Sequence, residues 1–241
     1  MYLLCGEPNI GKSTAIMTLI DLLGPKRCSG FYTREILQGK QRVGFQTFVL
    51  HGGNFTFAHI DLPKTYAIEQ FGVDVTAFEK ILPDLIRNRG NRFLIIDEIG
   101  PMQLFSPAFK ELLLSLSSDD KVIATICQND TDLTAVLKER NRDKLFEIDE
   151  SNRDLMPFIL AEKLNADDPV YLSKLALSEK YHKEVERFSY SQNRILLRST
   201  HDIRIIQKEN GHYTCTCDYF KEKDTCSHIM AVIRNSIFWK Y

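Results

Sequence analysis

The sequence has no long apolar run and almost no net charge, and each absence excludes a class of protein. No stretch of the 241 residues approaches a membrane-spanning segment, which needs about 20 consecutive apolar residues, so we expect no membrane partner. The formal net charge is −1, so the whole chain lacks the basic excess that marks many nucleic-acid-binding proteins. Internal repeats and low-complexity tracts are also missing. What remains is a globular chain long enough for one good core and a smaller module.

The small net charge hides a difference between the two ends of the chain. Residues 1–169 carry 19 basic and 24 acidic residues, net −5, whereas residues 170–241 carry 12 and 8, net +4. The first predicted strand starts at Tyr2, which leaves no room for a signal peptide. We therefore expect a cytoplasmic location, where cysteines stay reduced and clustered cysteines suggest metal binding rather than disulfides.

A complete phosphate-binding motif stands at the start of the chain. Tyr2–Cys5 reads as a short apolar strand, and the residues after it spell G-x-x-x-x-G-K-S before an amphipathic helix. Such a loop points successive backbone N–H groups into one concavity, and the following helix adds its positive dipole. The sequence therefore predicts a nucleoside triphosphate site. The predicted nucleotide-binding residues are Gly6, Glu7, Pro8, Asn9, Ile10, Gly11, Lys12, Ser13 and Thr14.

Two residues of this motif have predicted chemical roles. Lys12 would reach the β- and γ-phosphates, which makes it a catalytic candidate, and the Ser13 hydroxyl would ligate the Mg²⁺ that bridges them. Thr14 is expected to lie along the first helix.

A second candidate lies at the end of a buried strand. Arg92–Asp97 is too apolar to face water, and ligands of α/β sheets bind at strand C-termini. Asp97 is predicted to help hold the Mg²⁺. Glu98 is predicted to orient or deprotonate the attacking water. The arginines considered as charge stabilisers are Arg34, Arg140, Arg142 and Arg153.

The order of predicted elements defines the fold class. Up to residue 160 strands and helices alternate, with a hairpin at residues 30–50, which predicts an α/β fold with a mostly parallel sheet and helices on both faces.

Four segments carry a resemblance to a known family. They are the loop 6–14, the segment 30–35, the segment 96–104 and Ser151–Asp154. Over roughly residues 1–160 they resemble the bacterial and archaeal nucleoside-triphosphatases also called cancer-related nucleoside-triphosphatases. The resemblance implies a RecA-like P-loop fold and hydrolysis of ATP, GTP and other nucleoside triphosphates.

The chain departs from that family pattern at two positions. Asn9 stands where the family usually has glycine. Because asparagine tolerates the left-handed backbone conformation, the loop is expected to keep its shape. Gln103 replaces a usual glutamate, so no carboxylate role is transferred to it.

A metal-binding pattern lies near the C-terminus. Cys215, Cys217, Cys226 and His228 form C-x-C-x8-C-x-H, and three thiolates with one imidazole suit a closed tetrahedral zinc site. Residues 190–238 resemble the SWIM zinc-binding domain, a small strand-strand-helix unit implicated in nucleic-acid or protein contacts. The predicted organisation is a P-loop domain at 1–165, a connecting helix at 166–189 and a zinc module at 190–241.

Two other functions stay open at this point. A nucleoside or polynucleotide kinase would use the same parts with a bound hydroxyl in place of water, although no arginine-rich lid stands out. A nucleotide-gated nucleic-acid-binding protein would use the zinc module for binding and the P-loop domain as its switch.

Overall fold

The chain is described by a computed structural model that covers residues 1–191, 194–209 and 211–238. It divides into two compact units, of which the first contains Met1–Ser13 and Cys28–Glu150 and the second contains Thr14–Arg27 and Ser151–Tyr241. The first helix therefore starts in one unit and belongs mostly to the other. The domain boundaries at residues 165 and 190 stay a prediction.

The first unit is built on a mixed sheet. Its strands are β1 Tyr2–Cys5, β2 Cys28–Gln38, β3 Gln41–Val49, β4 Asn54–His59, β5 Ala67–Ile68, β6 Phe71–Val73, β7 Phe93–Ile99, β8 Val122–Ile126 and β9 Leu145–Glu147. Its helices are α1 Lys12–Leu23, which continues into the second unit, α2 Val75–Arg87, α3 Pro107–Ser115 and α4 Asp132–Arg140. The predicted hairpin is formed by β2 and β3, whereas the short strands β5 and β6 were not predicted.

The strand order places the predicted site residues at one edge of the sheet. The order is β5-β6-β4-β3-β2-β7-β8-β1-β9, and the pairs β2–β7, β7–β8, β8–β1 and β1–β9 are parallel. The remaining pairs are antiparallel. The predicted α/β class is confirmed, with a parallel centre and an antiparallel extension. Because β1 and β7 run in the same direction with β8 between them, both end at the same edge.

An aromatic cluster holds α2 and α3 on one face of this sheet. Phe31 of β2, Phe78 of α2 and Phe109 of α3 meet edge to face, with ring centroids 5.1 to 6.0 Å apart. All three are fully buried. Such contacts contribute about 0.5–1.5 kcal/mol per pair beyond the buried area. Ser106 caps α3 by accepting a hydrogen bond from Phe109 N at 3.0 Å, which positions the turn that follows β7.

The second unit combines helices with a small antiparallel sheet. Its elements after α1 are α5 Met156–Leu164, α6 Pro169–Lys183, β10 Phe188–Ser191, β11 Arg194–Arg198, β12 Ile203–Glu209, β13 His212–Cys215, α7 Asp218–Lys223 and α8 Ser227–Phe238. The strands follow each other as β10-β11-β12-β13, and α6 packs against α8. The helix predicted as a connector is thus α6, and it buries Tyr171, Leu175 and Tyr181. The dipeptide Asn210-Gly211 predicts a turn, but Asn210 lies outside the described residues.

A search of the described helices for a membrane span found none with the length and apolarity that crossing a bilayer requires.

Candidate nucleotide site and metal site

The phosphate loop has the backbone that its motif predicts. β1 ends at Cys5 and α1 begins at Lys12, and between them Asn9 and Gly11 have φ values of 63° and 112°. Asn9 therefore adopts the left-handed conformation expected of the glycine that it replaces. Gly6 is required by space, because a Cβ there would lie 2.6 Å from the carbonyl oxygen of Ile148.

The Lys12 side chain folds back over this loop. Its ammonium group donates hydrogen bonds of 2.8 Å each to the carbonyl oxygens of Gly6 and Glu7. A positive charge is thereby held where the loop curls and where the first helix begins. The motif residues from Glu7 to Asn9 are exposed, as are Ser13 and Thr14, so the loop is open to a ligand.

Asp97 lies near the end of β7 and is only 3% exposed. Its Oδ1 accepts a 2.5 Å hydrogen bond from Thr125 Oγ1 of the neighbouring strand β8, and the Ser13 hydroxyl lies close enough to the carboxylate to lower its pKa. Burial raises the pKa of Asp97, while Thr125, Ser13 and the charge of Lys12 act in the opposite direction. Its Oδ2 is buried and has no hydrogen-bond partner among the described residues. The structure thus brings the predicted Ser13 and Asp97 together.

Glu98 adds a second carboxylate beside Asp97. Burial and the negative charge of Asp97 raise the pKa of Glu98, and Lys12 partly offsets them. A Cβ on Gly100 would lie 2.5 Å from Glu98 Oε1, so glycine leaves the room that this side chain occupies. A carboxyl group with a raised pKa accepts a proton more readily than an ordinary carboxylate.

Of the candidate arginines in the first unit, Arg34 lies on the strand next to β7. Tyr32 of β2 pairs in register with Asp97, and Arg34, two residues further on, points to the same face of the sheet. Its guanidinium lies 5.0 Å from the Tyr32 ring centroid and 5.7 Å from that of Phe48. By contrast, the side chain of Arg142 is 79% exposed and lies 4.0 Å from Glu139. No arginine role is assigned by these contacts.

Sequence reasoning missed Thr125 and Gln103. Thr125 is the one polar residue of the apolar strand β8, and this position could have indicated a partner for a neighbouring carboxylate. Gln103 was set aside because it lacks a carboxylate, yet it is 1% exposed and its amide is unpartnered among the described residues.

The four predicted metal ligands converge in the second unit. Cys215 ends β13, Cys217 precedes α7, and Cys226 and His228 stand at the start of α8. All four are buried, and their ligand atoms lie within 4.8 Å of one another. A tetrahedral zinc ion would place sulfur and nitrogen ligands about 3.6 Å apart, and Cys215 Sγ lies 3.7 Å from His228 Nδ1. The donor set and its spacing therefore fit zinc.

The surroundings of the cluster also fit a cation. Hydrogen bonds from Cys215 and then Cys226 lower the pKa of the Cys217 thiol, and burial raises that of Cys226. When three thiols lie this close together, one of them can lose its proton easily. All three can ionise only when a cation lies between them. The Tyr181 ring of α6 stacks on the His228 imidazole, with centroids 5.8 Å apart.

The end of α1 contacts the residues around this cluster. Thr225 Oγ1 and Tyr171 OH both donate to the Leu22 carbonyl oxygen, at 2.8 and 3.1 Å. His212 Nδ1 lies 2.6 Å from Asp21 Oδ1, and Asp21 raises the pKa of His212. A helix leaves its last carbonyl groups without partners of its own, so these contacts complete the C-terminus of α1.

The strand, the loop and the mixed sheet define the class of this protein: it is a P-loop protein of the α/β type. Residues 1–161 match the model of a family described as NTPase, and the chain belongs to that family. The fold and family that the sequence predicted are confirmed.

Named relatives agree with this assignment. The chain is 37% identical to nucleoside-triphosphatase THEP1 of Thermotoga maritima over 155 residues, which are 63% of this chain and 88% of the relative. It is 33% identical to the human cancer-related nucleoside-triphosphatase over 176 residues, 65% of this chain and 93% of the relative. The crystal structure of THEP1 from Aquifex aeolicus superposes with a TM-score of 0.59 at 29% identity, covering 68% of this chain and 98% of that one.

The C-terminal part has a separate match. Residues 206–236 match the SWIM zinc finger, and this range contains all four members of the cysteine and histidine cluster. The predicted resemblance to a SWIM module is confirmed. This match lies outside residues 1–161, which match the NTPase family model.

Proposed function

We propose that this protein hydrolyses nucleoside triphosphates, ATP and GTP among them, to the diphosphate and phosphate in a reaction that depends on Mg²⁺. The observation that carries the proposal is the buried Asp97 carboxylate, which lies close enough to Ser13 of the phosphate loop for that hydroxyl to lower its pKa and keeps Oδ2 without a partner among the described residues. A buried oxygen without a hydrogen-bond partner is destabilising, so Asp97 Oδ2 requires a partner. Oxygen donors from one carboxylate and one hydroxyl suit Mg²⁺.

The residues of the loop have separate proposed roles in nucleotide binding. Residues Gly6 to Thr14 would hold the phosphates, mainly through backbone N–H groups, and Lys12 would pair with the β- and γ-phosphates. Ser13 and Asp97 would hold Mg²⁺, which supplies charge neutralisation between the phosphate oxygens when bound. Relatives named nucleoside-triphosphatases support this choice of substrate.

Glu98 would position the attacking water and take its proton. Its support is its position directly after Asp97, near the end of β7, together with a pKa that burial and the charge of Asp97 raise. A base in hydrogen-bond reach contributes about 10²–10⁴-fold to the rate.

We also propose that Cys215, Cys217, Cys226 and His228 bind one structural zinc ion, and that the module contacts nucleic acid or protein. The buried donor set supports the first assignment, and the net charge of +4 after residue 169 supports nucleic acid as a partner. A site of three thiols needs a compartment that keeps cysteine reduced, which supports a cytoplasmic location.

The decisive experiment follows the γ-phosphate of labelled ATP with and without RNA, DNA and nucleosides. Hydrolysis predicts label on free phosphate in every case, with no transfer to an added acceptor. Label on a nucleoside or a polynucleotide end would replace the proposal by a kinase. Nucleotide binding without turnover, together with salt-dependent nucleic-acid binding, would favour the gated binding protein.

A further inference from the structure

Gln103 is a buried amide without a partner. It opens the short turn Gln103–Phe105 that follows β7, and its side chain is almost inaccessible, with 1% of the residue exposed. Neither Nε2 nor Oε1 has a hydrogen-bond partner among the described residues. Leaving a buried polar group unpaired costs about 1–3 kcal/mol. Because its unpaired amide is destabilising, we expect Gln103 to hydrogen-bond to a group that is not a side chain of this protein.

The position of Gln103 shows where that partner would lie. A Cβ built on Gly100 would be 2.5 Å from Glu98 Oε1 and 3.1 Å from Gln103 Oε1, so both oxygens approach the same point. The described residues contain four buried side-chain N or O atoms without a partner, and three of them belong to Asp97 and Gln103. Unsatisfied polar atoms are thus concentrated at the end of β7.

We propose that Gln103 and Glu98 together hold the water that attacks the γ-phosphate. This inference rests on the proposed hydrolysis. The glutamine Oε1 accepts one hydrogen of the water and the Glu98 carboxylate accepts the other, which leaves an oxygen lone pair for the phosphorus. A glutamine in this function orients the attacking water in other P-loop hydrolases.

The bond changes balance without a further reactant. The water oxygen forms a bond to the γ-phosphorus, and its proton passes to Glu98. The bond between the γ-phosphorus and the bridging oxygen breaks, and its electron pair leaves with the nucleoside diphosphate. Glu98 then returns its proton to the phosphate product or to solvent.

A purely structural Gln103 makes a different prediction for the turnover of the same variant. Methionine has nearly the same length and shape and no amide, so Gln103→Met removes two unpaired polar groups from a buried position. If Gln103 only fills space, Gln103→Met raises the melting temperature and leaves turnover unchanged. If it holds the water, the melting temperature stays the same or rises while kcat falls.

The experiment measures kcat, KM, ATP affinity and melting temperature of the full chain. For Gln103→Met we expect kcat to fall about tenfold or more, with ATP affinity within about twofold of wild type because only the water has lost a ligand. Gln38→Met is the matched control, since Gln38 is exposed at the end of β2, and it should change none of these values.

Gln103→Glu is an independent test of the proposal, and it can be used even if the methionine variant fails to fold. The new carboxylate oxygen still accepts from water, so turnover should be retained. A further carboxylate beside Glu98, in addition to Asp97, should shift the rising limb of the pH–rate profile to higher pH, because like charges oppose ionisation. Unchanged kcat and pH profile in the variants that fold would overturn the role of Gln103 and leave hydrolysis standing. A wild-type protein that releases no phosphate, and therefore shows no loss in Glu98→Gln, would overturn both.

Discussion

The nucleotide region and the zinc region position their functional side chains by different means. In the first, a strand end and a glycine-containing loop set the positions, and Asp97 accepts a hydrogen bond from Thr125. In the second, three thiols and an imidazole crowd together from β13, from the start of α7 and from α8. A site held by backbone should keep its geometry without its ligand, whereas a site of crowded thiols depends on its cation.

Helix α1 begins in the first unit and belongs mostly to the second. It begins with Lys12 of the phosphate loop, and its last carbonyl groups accept hydrogen bonds from Tyr171 and Thr225. The NTPase family model matches residues 1–161 and the SWIM zinc finger matches residues 206–236, so the two kinds of site fall in separate family matches.

The largest effect is expected from removing zinc. Binding of a structural zinc contributes about 10 kcal/mol or more to folding, so chelation, or the double variant Cys215→Ser with Cys217→Ser, should unfold the sheet β10–β13 and α8. Metal analysis should give one zinc per wild-type chain and less in the double variant. Hydrogen exchange should show loss of protection in residues 188–236 while β1, β7 and β8 stay protected. If the wild-type protein contains no zinc, the four-residue cluster does not depend on a cation, and the proposed difference between the two sites is wrong.

Loss of the Lys12 charge should give the next largest effect. In Lys12→Ala, triphosphate binding and hydrolysis should weaken together, turnover by about 10³-fold or more, because the charge that pairs with the β- and γ-phosphates is gone. Titration with a fluorescent ATP analogue and phosphate release measure the two quantities. Melting temperature should be measured as well, because Lys12 also donates two hydrogen bonds to loop carbonyl oxygens and its charge acts on Asp97 and Glu98. Wild-type affinity in this variant would place the nucleotide elsewhere.

Glu98→Gln should separate binding from turnover. The amide keeps the size of the side chain but cannot take a proton, so kcat should fall about 10²-fold with ATP affinity nearly unchanged. Glu35→Gln, on the exposed part of β2, serves as the control and should behave as wild type. If turnover in Glu98→Gln equals that of wild type, another group accepts the proton.

A double variant tests how the module supports α1. Thr225→Val and Tyr171→Phe each remove one donor to the Leu22 carbonyl oxygen, and either alone should cost about 1 kcal/mol of stability. Together they should cost more than the sum, because the buried carbonyl then loses both donors. Chemical denaturation of the four proteins of this cycle measures the coupling. Simple additivity would show that the two hydroxyl groups act independently.

The sequence predicted those parts of the molecule in which a chemical motif stands next to the strand or helix that such a motif requires. The phosphate loop, the strand that carries Asp97 and the four-ligand motif each combine a motif with its expected setting. The short strands β5 and β6 were missed because two or three residues cannot show a period. Gln103 and the contacts of α1 were missed for another reason. Partners such as Asp21 and His212 are 191 positions apart, and no local pattern predicts contacts over such a distance.

The smallest effect concerns the pH dependence of the Asp21–His212 pair. Asp21 is the main cause of the raised pKa of His212, whose ordinary value is 6.5. The protonated form is therefore stabilised by folding, so the contribution is complete below pH 6.5 and is lost as pH rises through the raised value. Because the pair is partly exposed, we expect less than about 1 kcal/mol. The melting temperature of wild type should exceed that of His212→Gln more at pH 6 than at pH 8.5. Comparing the two proteins at each pH cancels any effect of pH on the zinc ligands, which they share. An equal difference at both pH values would mean that His212 contributes through packing rather than through its charge.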